Sequence, residues 1–261
     1  MEQIALITGA SGGIGLEIAK LFAKDKINLL LIARSEAKLI NLKQQLEKDY
    51  PIKVHYIAAD LSVIDGLYVT QRYIDENALQ VEHLVNNAGF GDYGPFVERS
   101  MEKYREMLGL NISTLVELTH YCSKEMIKRG HGRILNVSST AGFQPVPYFA
   151  VYAASKAFVI NFTEALHKEF EKTGVTTTVL SPGATQTGFI EKADMGEAKL
   201  YKSGVMSAED VARVGYNAMK KGKLHVVAGF GNRIQAFFSS MLPSSQLRLT
   251  IAANVMKKAS R

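Results

Sequence analysis

The sequence predicts an α/β fold, namely one doubly wound domain in which a seven-stranded parallel sheet is flanked by helices. Apolar, β-branched runs alternate with amphipathic runs along most of the chain. The apolar runs are short and mostly continuous, as expected for strands that are buried on both faces of a parallel sheet. The length of 261 residues suits one large domain of this kind. Strand–helix alternation implies right-handed crossovers, which produce the doubly wound arrangement.

Seven strands are predicted in chain order, with amphipathic helices between them. Their sequences are IALIT, NLLLIA, VHYIAAD, HLVNNA, RILNVSS, TTTVLS and LHVVAG. In the first interval, Ile14, Ile18 and Phe22 recur at helical spacing, which predicts a helix with one apolar face. The only cysteine, Cys122, falls on the apolar face of a later helix, so we expect a buried hydrophobic residue and no intramolecular disulfide. No linker or repeat interrupts residues 1–230, which are predicted to form one domain.

Two segments break the alternation. Residues 182–206 follow a strand end, and two interpretations stand: a lid over the ligand crevice, or an ordinary surface loop. Residues 231–261 are predicted to be a helical extension with Ile234, Phe237 and Phe238 on one face and basic residues near its end. Packing on its own domain is the expected arrangement, while a dimer contact and an anionic membrane surface are the alternatives.

The composition and the charge of the sequence restrict the partners and the cellular compartment that we expect for the protein. The formal net charge is +6 and the sequence pI is near 9.2, but Lys and Arg are scattered among Asp and Glu. We therefore expect no nucleic-acid partner, while a basic balance suits a ligand that carries several phosphates. The start of the chain resembles no signal peptide and no apolar run reaches membrane-spanning length, so a cytoplasmic location is expected. No metal site is predicted.

The turn between the first strand and the first helix is rich in glycine and reads TGASGGIG. Glycine lets backbone N–H groups approach an anion closely, and the helix N-terminus adds unpaired donors and the positive end of its dipole. The spacing is Gly-x-x-x-Gly-x-Gly rather than the commoner Gly-x-Gly-x-x-Gly. Because a strand precedes the turn and a helix follows it, we predict a dinucleotide site. The residues assigned to it here are Gly9, Ser11, Gly12, Gly13, Ile14 and Gly15.

The end of the second strand bears on which dinucleotide is bound. A site for NAD typically has an acidic residue about 20 positions after the glycines, which binds the ribose 2′-hydroxyl. Here the strand ends in Arg34 and Ser35 with no carboxylate. These two residues, together with Lys38, can hold a 2′-phosphate through charge-assisted bonds of about 1.5–3 kcal/mol. NADP(H) is therefore the predicted cofactor, and the alternative is an ordinary solvated arginine at a strand end.

A phenol and an ammonium group lie one helical turn apart in the segment YAASK. Tyr152 and Lys156 are at positions i and i+4, so they share a helix face. A nearby cation favours the phenolate and so lowers the pKa of the phenol toward the working pH, where a general acid or base is most effective. Ser139 ends the strand RILNVSS, where its hydroxyl can hold a carbonyl or alkoxide oxygen. Taken singly, each of these residues also fits a solvated surface position; only their combination indicates catalysis.

These motifs together resemble the short-chain dehydrogenase/reductase family, in particular its NADP-preferring members. The resemblance rests on TGASGGIG, on NNAG at 86–89, on NVSS, and on the Tyr152–Lys156 pair with Ser139 thirteen residues before the tyrosine. It covers residues 4 to about 230 and implies a Rossmann-type dinucleotide-binding catalytic domain with hydride transfer to or from a nicotinamide. It also implies a catalytic tetrad of Asn111, Ser139, Tyr152 and Lys156, with Asn111 holding a water molecule that touches the lysine.

The resemblance implies further cofactor contacts. Asp60 and Leu61 belong to the adenine pocket, and Lys156 also binds the nicotinamide ribose beside Tyr152. The residues assigned to the ribose side, the pyrophosphate and the carboxamide are Asn87, Ala88, Gly89, Pro182, Gly183, Thr185 and Thr187. A homodimer or homotetramer is expected, although many relatives end soon after the seventh strand, where this chain continues.

The substrate is predicted only by class. The expected pocket walls are Phe90, Phe143, Gln144, Phe189, Met195 and Tyr201. Their apolar character favours a small-molecule carbonyl or alcohol substrate. The alternatives are a non-catalytic NADP(H)-binding redox sensor or regulator, and a membrane-surface or scaffolding protein that uses its C-terminal tail. The intact tetrad favours the enzyme.

Overall fold

The computed structural model describes residues 1–189 and 205–241, together with Ala193, Gln246, Leu249 and Thr250. In this part of the chain the strands are β1 (Glu2–Thr8), β2 (Asn28–Ala33), β3 (Val54–Ala58), β4 (Leu79–Asn86), β5 (Gly132–Val137), β6 (Val175–Ser181), β7 (Thr185–Gln186), β8 (Met206–Ser207) and β9 (His225–Val227). The helices are α1 (Gly13–Lys24), α2 (Glu36–Asp49), α3 (Ile64–Glu76), α4 (Met101–Leu108), α5 (Thr114–Arg129), α6 (Ala150–Glu169), α7 (Ala208–Lys220) and α8 (Phe230–Met241).

Seven of these strands form one parallel sheet in the order β3-β2-β1-β4-β5-β6-β9, which confirms the predicted fold class. β1 pairs with β2 on one side and with β4 on the other, so that Ile7 lies opposite both Leu31 and Val85. The strand order therefore reverses between β1 and β4. In doubly wound sheets the crevice at the carboxyl ends of the strands next to such a reversal is where ligands bind.

A hydrophobic layer covers each face of the sheet, and β1 contributes side chains to both layers. Ile4 and Leu6 pack into the layer under α3 and α5, whereas Ala5 and Ile7 pack into the layer under α1, α2 and α7. This alternation follows from the two-residue period of a strand. Cys122 lies in the first layer, where burial raises the pKa of its thiol to about 12, so it is a buried hydrophobic residue as predicted.

A series of hydrogen-bonded polar side chains crosses the middle of this apolar interior. Asn86 of β4 lies opposite Asn136 of β5, and its Nδ2 donates to Asn136 Oδ1 at 2.9 Å and to Thr119 Oγ1 at 3.0 Å. Asn136 Nδ2 in turn donates to Thr163 Oγ1 at 3.0 Å. Thr119 is on α5 and Thr163 is on α6, so the series links both helices through the two central strands.

α4 and α5 are joined by a single π-helical turn, Gly109–Ser113, which contains Asn111. A Cβ on Gly109 would lie 2.5 Å from the carbonyl oxygen of Ser62, so only glycine allows this turn to approach that backbone. π-turns inside helices occur frequently at functional sites.

Beyond the sheet, β7 and β8 form a short parallel ladder with Thr185 opposite Met206. They lie at the two ends of the segment predicted as a lid, most of which falls outside the described residues. The helix α8 lies on the same domain, where it contacts β9 and the turn Thr140–Phe143.

Candidate active site

A cavity of about 930 Å³ opens at the carboxyl ends of the central strands. This volume is near the upper end of the usual range for ligand pockets. The predicted cofactor residues that line it are Gly9, Ser11, Gly12, Gly13, Ile14, Arg34, Ser35, Asp60, Leu61, Asn87, Ala88, Gly89, Tyr152, Lys156, Pro182, Gly183, Thr185 and Thr187. The fold thus gathers residues from many separate segments around one space.

The glycine-rich turn leads from β1 into the N-terminus of α1. Gly9 has φ +68°, a left-handed conformation that favours glycine. Gly15 is the one predicted residue of this turn that does not line the cavity: a Cβ there would lie 2.5 Å from Gly9 O and from Asn87 Nδ2. Gly15 therefore allows α1 to pack against the turn. Asn87 Nδ2 donates to Thr8 O at 3.0 Å and to Gly9 O at 3.3 Å, which fixes the turn from the β4 side.

Arg34 lines the cavity at the end of β2, beside Asp60. Its Nη1 atom is 3.8 Å from Asp60 Oδ2, and the arginine side chain is 64% exposed. Burial alone would raise the pKa of Asp60, but hydrogen bonds from the Ser62 hydroxyl and N–H, with the charge of Arg34, hold it below its usual value. An exposed ion pair contributes only about 0–1 kcal/mol, so the guanidinium can exchange Asp60 for another anion at little cost.

Tyr152 and Lys156 both lie on α6 and face the cavity. Lys156 is 5% exposed, its Nζ donates to Val137 O at 3.0 Å, and it lies 5.7 Å from the centre of the Tyr152 ring. Burial lowers the pKa of Lys156 to about 8. The Tyr152 ring stacks on Phe149, with 4.3 Å between ring centres. The predicted pair therefore exists as a buried phenol and a buried amine at one cavity wall.

Ser139 lines the same cavity two residues beyond β5, and its hydroxyl oxygen accepts from Ala141 N at 3.1 Å. Neighbouring bonds hold this segment against α6 and β6. Ser138 Oγ donates to Lys156 O at 2.7 Å, and Thr140 N donates to Pro182 O at 2.8 Å. The segment that carries Ser139 is thus attached directly to the helix that carries Tyr152 and Lys156.

Asn111 does not line the cavity but lies behind it, fully buried. Its Nδ2 donates to Phe90 O at 3.0 Å and to Ser155 Oγ at 3.1 Å, while its Oδ1 accepts from Phe90 N at 3.2 Å. A Cβ on Gly89 would lie 2.9 Å from Asn111 Oδ1 and 3.3 Å from Lys156 Nζ. Gly89 therefore keeps open the space that borders both the amide oxygen and the ammonium group.

A buried carboxylate fixes the loop that follows β4. Asp92 accepts from Arg99 Nε at 2.8 Å and lies 2.6 Å from Lys103 Nζ. Burial would raise the pKa of Asp92, but the hydrogen bonds from Arg99 and Lys103 outweigh it and hold the pKa below its usual value. This loop begins with Phe90, so the ion pairs help to hold one wall of the cavity.

The predicted substrate residues divide into three groups. Phe90, Gln144 and Phe189 line the cavity. Phe143 does not: its ring stacks on His225 at 5.4 Å, on the far side of the turn Thr140–Phe143, so the prediction for this residue is not supported by its position. Met195 and Tyr201 lie outside the described residues.

Several cavity residues are absent from the sequence-based prediction. They include Val146 and Phe149 before α6, and Gln235, Phe238 and Ser239 of α8. Ser239 Oγ donates to Gln144 Oε1 at 2.9 Å, which attaches α8 to the cavity wall. The spacing of Phe149 three residues before Tyr152 is a signal in the sequence that could have identified it. No such local signal marks the contribution of α8.

The described residues include neither a metal site nor a membrane-spanning helix. No three His, Cys, Asp or Glu side chains among them are grouped as a metal site requires. None of the described helices combines the length and the apolar character needed to cross a bilayer.

The sequence matches the family described as short chain dehydrogenase over residues 3–198. The ketoacyl reductase HetN from Nostoc sp. is 30% identical over 249 residues, which cover 95% of this chain and 86% of that protein. Sulfoacetaldehyde reductase 2 from Chromohalobacter salexigens is 34% identical, covering 82% and 87% of the two chains. The solved structure of a short-chain dehydrogenase from Sphingobium yanoikuyae in complex with NADPH is similar with a TM-score of 0.82 and 27% identity, covering 92% and 93%.

Proposed function

The chain belongs to the short-chain dehydrogenase/reductase family, and we propose that it is an NADP(H)-dependent oxidoreductase acting on an apolar carbonyl or alcohol substrate. The observation that carries this proposal is the buried Lys156 beside Tyr152 at a cavity that Ser139 also lines. A buried amine with a lowered pKa next to a phenol is costly to maintain in a folded protein, and perturbed groups of this kind cluster at functional sites.

The residues of the cavity fit a nicotinamide dinucleotide. The glycine turn exposes backbone N–H groups at the start of α1, whose first turn carries no acidic residue that would repel a pyrophosphate. When bound, the cofactor supplies or accepts a hydride at its nicotinamide ring. The similar structure from Sphingobium yanoikuyae holds NADPH, which supports the same cofactor here.

The preference for NADP(H) over NAD(H) rests on Arg34 with Ser35 and Lys38. Arg34 and Ser35 follow β2, Lys38 lies in the first turn of α2, and all three line the cavity, so the two cations can pair with a 2′-phosphate. Asp60 is the nearby carboxylate, but it already accepts from both the N–H and the hydroxyl of Ser62 at 2.8 and 2.7 Å.

We assign proton exchange with the substrate oxygen to Tyr152. Ser139 holds that oxygen by donating its hydroxyl proton, and Tyr152 gives a proton to it during reduction or removes one during oxidation. The positive charge of Lys156 stabilises the phenolate that remains after reduction. Because Lys156 has a pKa of about 8, it is still protonated near neutral pH.

Asn111 and Lys156 together are proposed to hold a water molecule that returns the proton to Tyr152 from solvent. The space next to Gly89 borders a hydrogen-bond acceptor and a donor, which are the two partners that a bound water requires. Asn111 is a positioning residue in this scheme, since its own amide group is already bonded to Phe90 and Ser155.

The lining of the cavity favours a carbonyl flanked by apolar groups. Phe90, Phe149, Phe189 and Val146 surround Tyr152. Among the described lining residues the cations are Arg34, Lys38 and Lys156, and each has a role at the cofactor or the tyrosine. None of these cations remains to bind a substrate carboxylate. The ketoacyl reductase relative is consistent with a substrate of this type.

The decisive experiment follows NADPH absorbance with a panel of ketones and alcohols and compares Tyr152→Phe with Tyr148→Phe. Tyr148 lies four residues earlier, before α6 begins, and does not line the cavity, so it is a matched control for loss of a phenol. We expect Tyr152→Phe to lose at least about a thousandfold in kcat with NADPH affinity retained, and Tyr148→Phe to keep its activity. Substantial turnover in Tyr152→Phe, or NADPH binding without oxidation by any substrate of the panel, would contradict the proposal.

Cofactor choice is tested separately with Arg34→Asp. Loss of the charge-assisted bond should shift the ratio of kcat/KM for NADPH over NADH by at least about tenfold toward NADH. Arg72→Asp, an exposed position on α3, makes the same change in net charge away from the cavity. An equal shift in both variants would indicate a general electrostatic effect and remove the role of Arg34.

A further inference from the structure

His225 of β9 lies behind the active-site cavity and contacts three different segments of the fold. Its Nδ1 atom is 2.8 Å from Glu164 Oε1, and its Nε2 atom is 2.9 Å from Ser181 Oγ. Its ring also stacks on Phe143, with 5.4 Å between the ring centres and 13° between the ring planes. Both ring nitrogens and one face of the imidazole are therefore occupied.

The two hydrogen-bond partners determine which nitrogen of His225 carries the proton. An ionised carboxylate can only accept, so Nδ1 donates to Glu164, and Nε2 of the neutral ring accepts from the Ser181 hydroxyl. A serine, a histidine and a carboxylate in this order resemble the triad of hydrolases. Ser181 is fully buried and does not line the cavity, however, so no substrate reaches its oxygen. Its hydroxyl is instead a fixed internal donor, which is costly to bury without an acceptor.

Each contact of His225 leads to a different wall of the active-site cavity. Glu164 is on α6, the helix that carries the tyrosine and the lysine of the proposed mechanism. Phe143 ends the short helical turn that begins directly after Ser139. Ser181 ends β6 and is followed by Pro182, which lines the cavity. The imidazole thus joins three segments that each contribute residues to the cavity.

We propose that His225 is a positioning residue for the reaction, which fixes the segment that carries Ser139 relative to the helix that carries Tyr152. Both hydroxyl groups must come within hydrogen-bond distance of the same substrate oxygen. A misplacement of about 1 Å can lower a rate about a hundredfold, even when its source lies far from the chemistry. This inference rests on the proposed function, because it assigns His225 a role in that reaction.

The test compares two histidines that have the same kinds of partner. His55 of β3 is bonded to the Tyr73 hydroxyl at 2.9 Å and to Glu2 at 3.2 Å, near the amino ends of the strands and away from the cavity. His225→Phe and His55→Phe therefore each leave one hydroxyl and one carboxylate without an imidazole. We expect both variants to unfold at lower urea concentration than the wild type. Only His225→Phe should lose kcat, by at least about tenfold at saturating NADPH.

His225→Gln is the conservative variant. Its amide offers one donor and one acceptor, as the neutral imidazole does, so it should keep kcat within about threefold of the wild type. In all variants kcat is calculated per NADPH-binding site, measured by the fluorescence of bound NADPH, so that unfolded protein is not counted. Full kcat in His225→Phe, an equal loss of kcat in His55→Phe, or no recovery in His225→Gln would overturn the proposal.

Hydrogen exchange tests the same contacts without turnover. The N–H group of Thr140 donates to Pro182 O at 2.8 Å, so its exchange rate reports how firmly the turn is held at the end of β6. We expect this exchange to be at least about tenfold faster in His225→Phe and unchanged in His55→Phe. An unchanged rate in His225→Phe refutes the positioning role whether or not a substrate is found. If the wild type turns over no substrate, the proposed function fails, and this role in the reaction fails with it.

Discussion

Replacing Lys156 by methionine should abolish turnover and, in the same protein, raise the free energy of unfolding near neutral pH. Burial lowers the pKa of Lys156 from 10.5 to about 8. Since one pKa unit corresponds to about 1.4 kcal/mol, keeping this group charged at pH 7 costs the folded state about 3 kcal/mol. The variant also loses the hydrogen bond to Val137 O, which contributes about 1 kcal/mol. The expected net gain is therefore about 2 kcal/mol.

The pH dependence separates the cost of burying the charge of Lys156 from the contribution of its hydrogen bond to Val137 O. The pKa of Lys156 is lower in the folded state than in the unfolded state, so the unfolded chain binds more protons between pH 8 and 10.5. The destabilisation is complete below the folded pKa and decreases as pH rises through this window. The lost hydrogen bond does not titrate. The advantage of Lys156→Met over the wild type should therefore shrink by about 2 kcal/mol between pH 7 and 9.5.

The assay is urea-induced unfolding of the wild type and Lys156→Met without cofactor, at a series of pH values across this range. Lys168→Met is a suitable control, because it makes the same change of side chain at a position on α6 that is 78% exposed. If the curves of Lys156→Met and the wild type stay parallel, the pKa of Lys156 is not lowered by burial. The account of a buried ammonium beside Tyr152 would then be refuted.

Two further substitutions test the surroundings of the site. Gly89→Ala places a methyl group 3.3 Å from Lys156 Nζ and should reduce kcat at least about tenfold, with the far-UV circular dichroism spectrum unchanged; full activity would show that the space next to Gly89 is not used. Asp92→Asn leaves Arg99 and Lys103 without their buried carboxylate and should lower the free energy of unfolding by about 2–3 kcal/mol in urea. Because the pKa of Asp92 is lowered in the folded protein, the two proteins should become more alike as pH falls below 4, and a constant difference would contradict this role.

Most of the fold followed from local patterns in the sequence. Short apolar runs predicted the seven strands of the sheet, and a strand buried on both faces leaves a clear signal in any single sequence. The spacing of Tyr152 and Lys156 predicted that they share a helix face, which the structure confirms. These relations depend only on residues that are close in the chain.

Properties that depend on distant elements could not be obtained in this way. The position of Phe143 depends on how the turn Thr140–Phe143 packs against His225, which lies more than 80 residues later. Likewise, the periodicity of α8 predicted a face with Ile234 and Phe237 but not whether the domain lies on that face or the other one. Asn111 was found only through the resemblance, because an asparagine in a helix carries no signal of the π-turn around it.

The amide chain from Thr119 through Asn86 and Asn136 to Thr163 has a consequence for how this scaffold can diversify. If β4 slipped by one residue against β5, these amides and hydroxyls would lose their partners in an apolar interior, so misaligned versions of the sheet are strongly disfavoured. These hydrogen-bonded side chains lie beneath the pocket and link α5 to α6. Substitutions at the rim can therefore alter what the pocket accepts without breaking the hydrogen bonds that link α5 to α6.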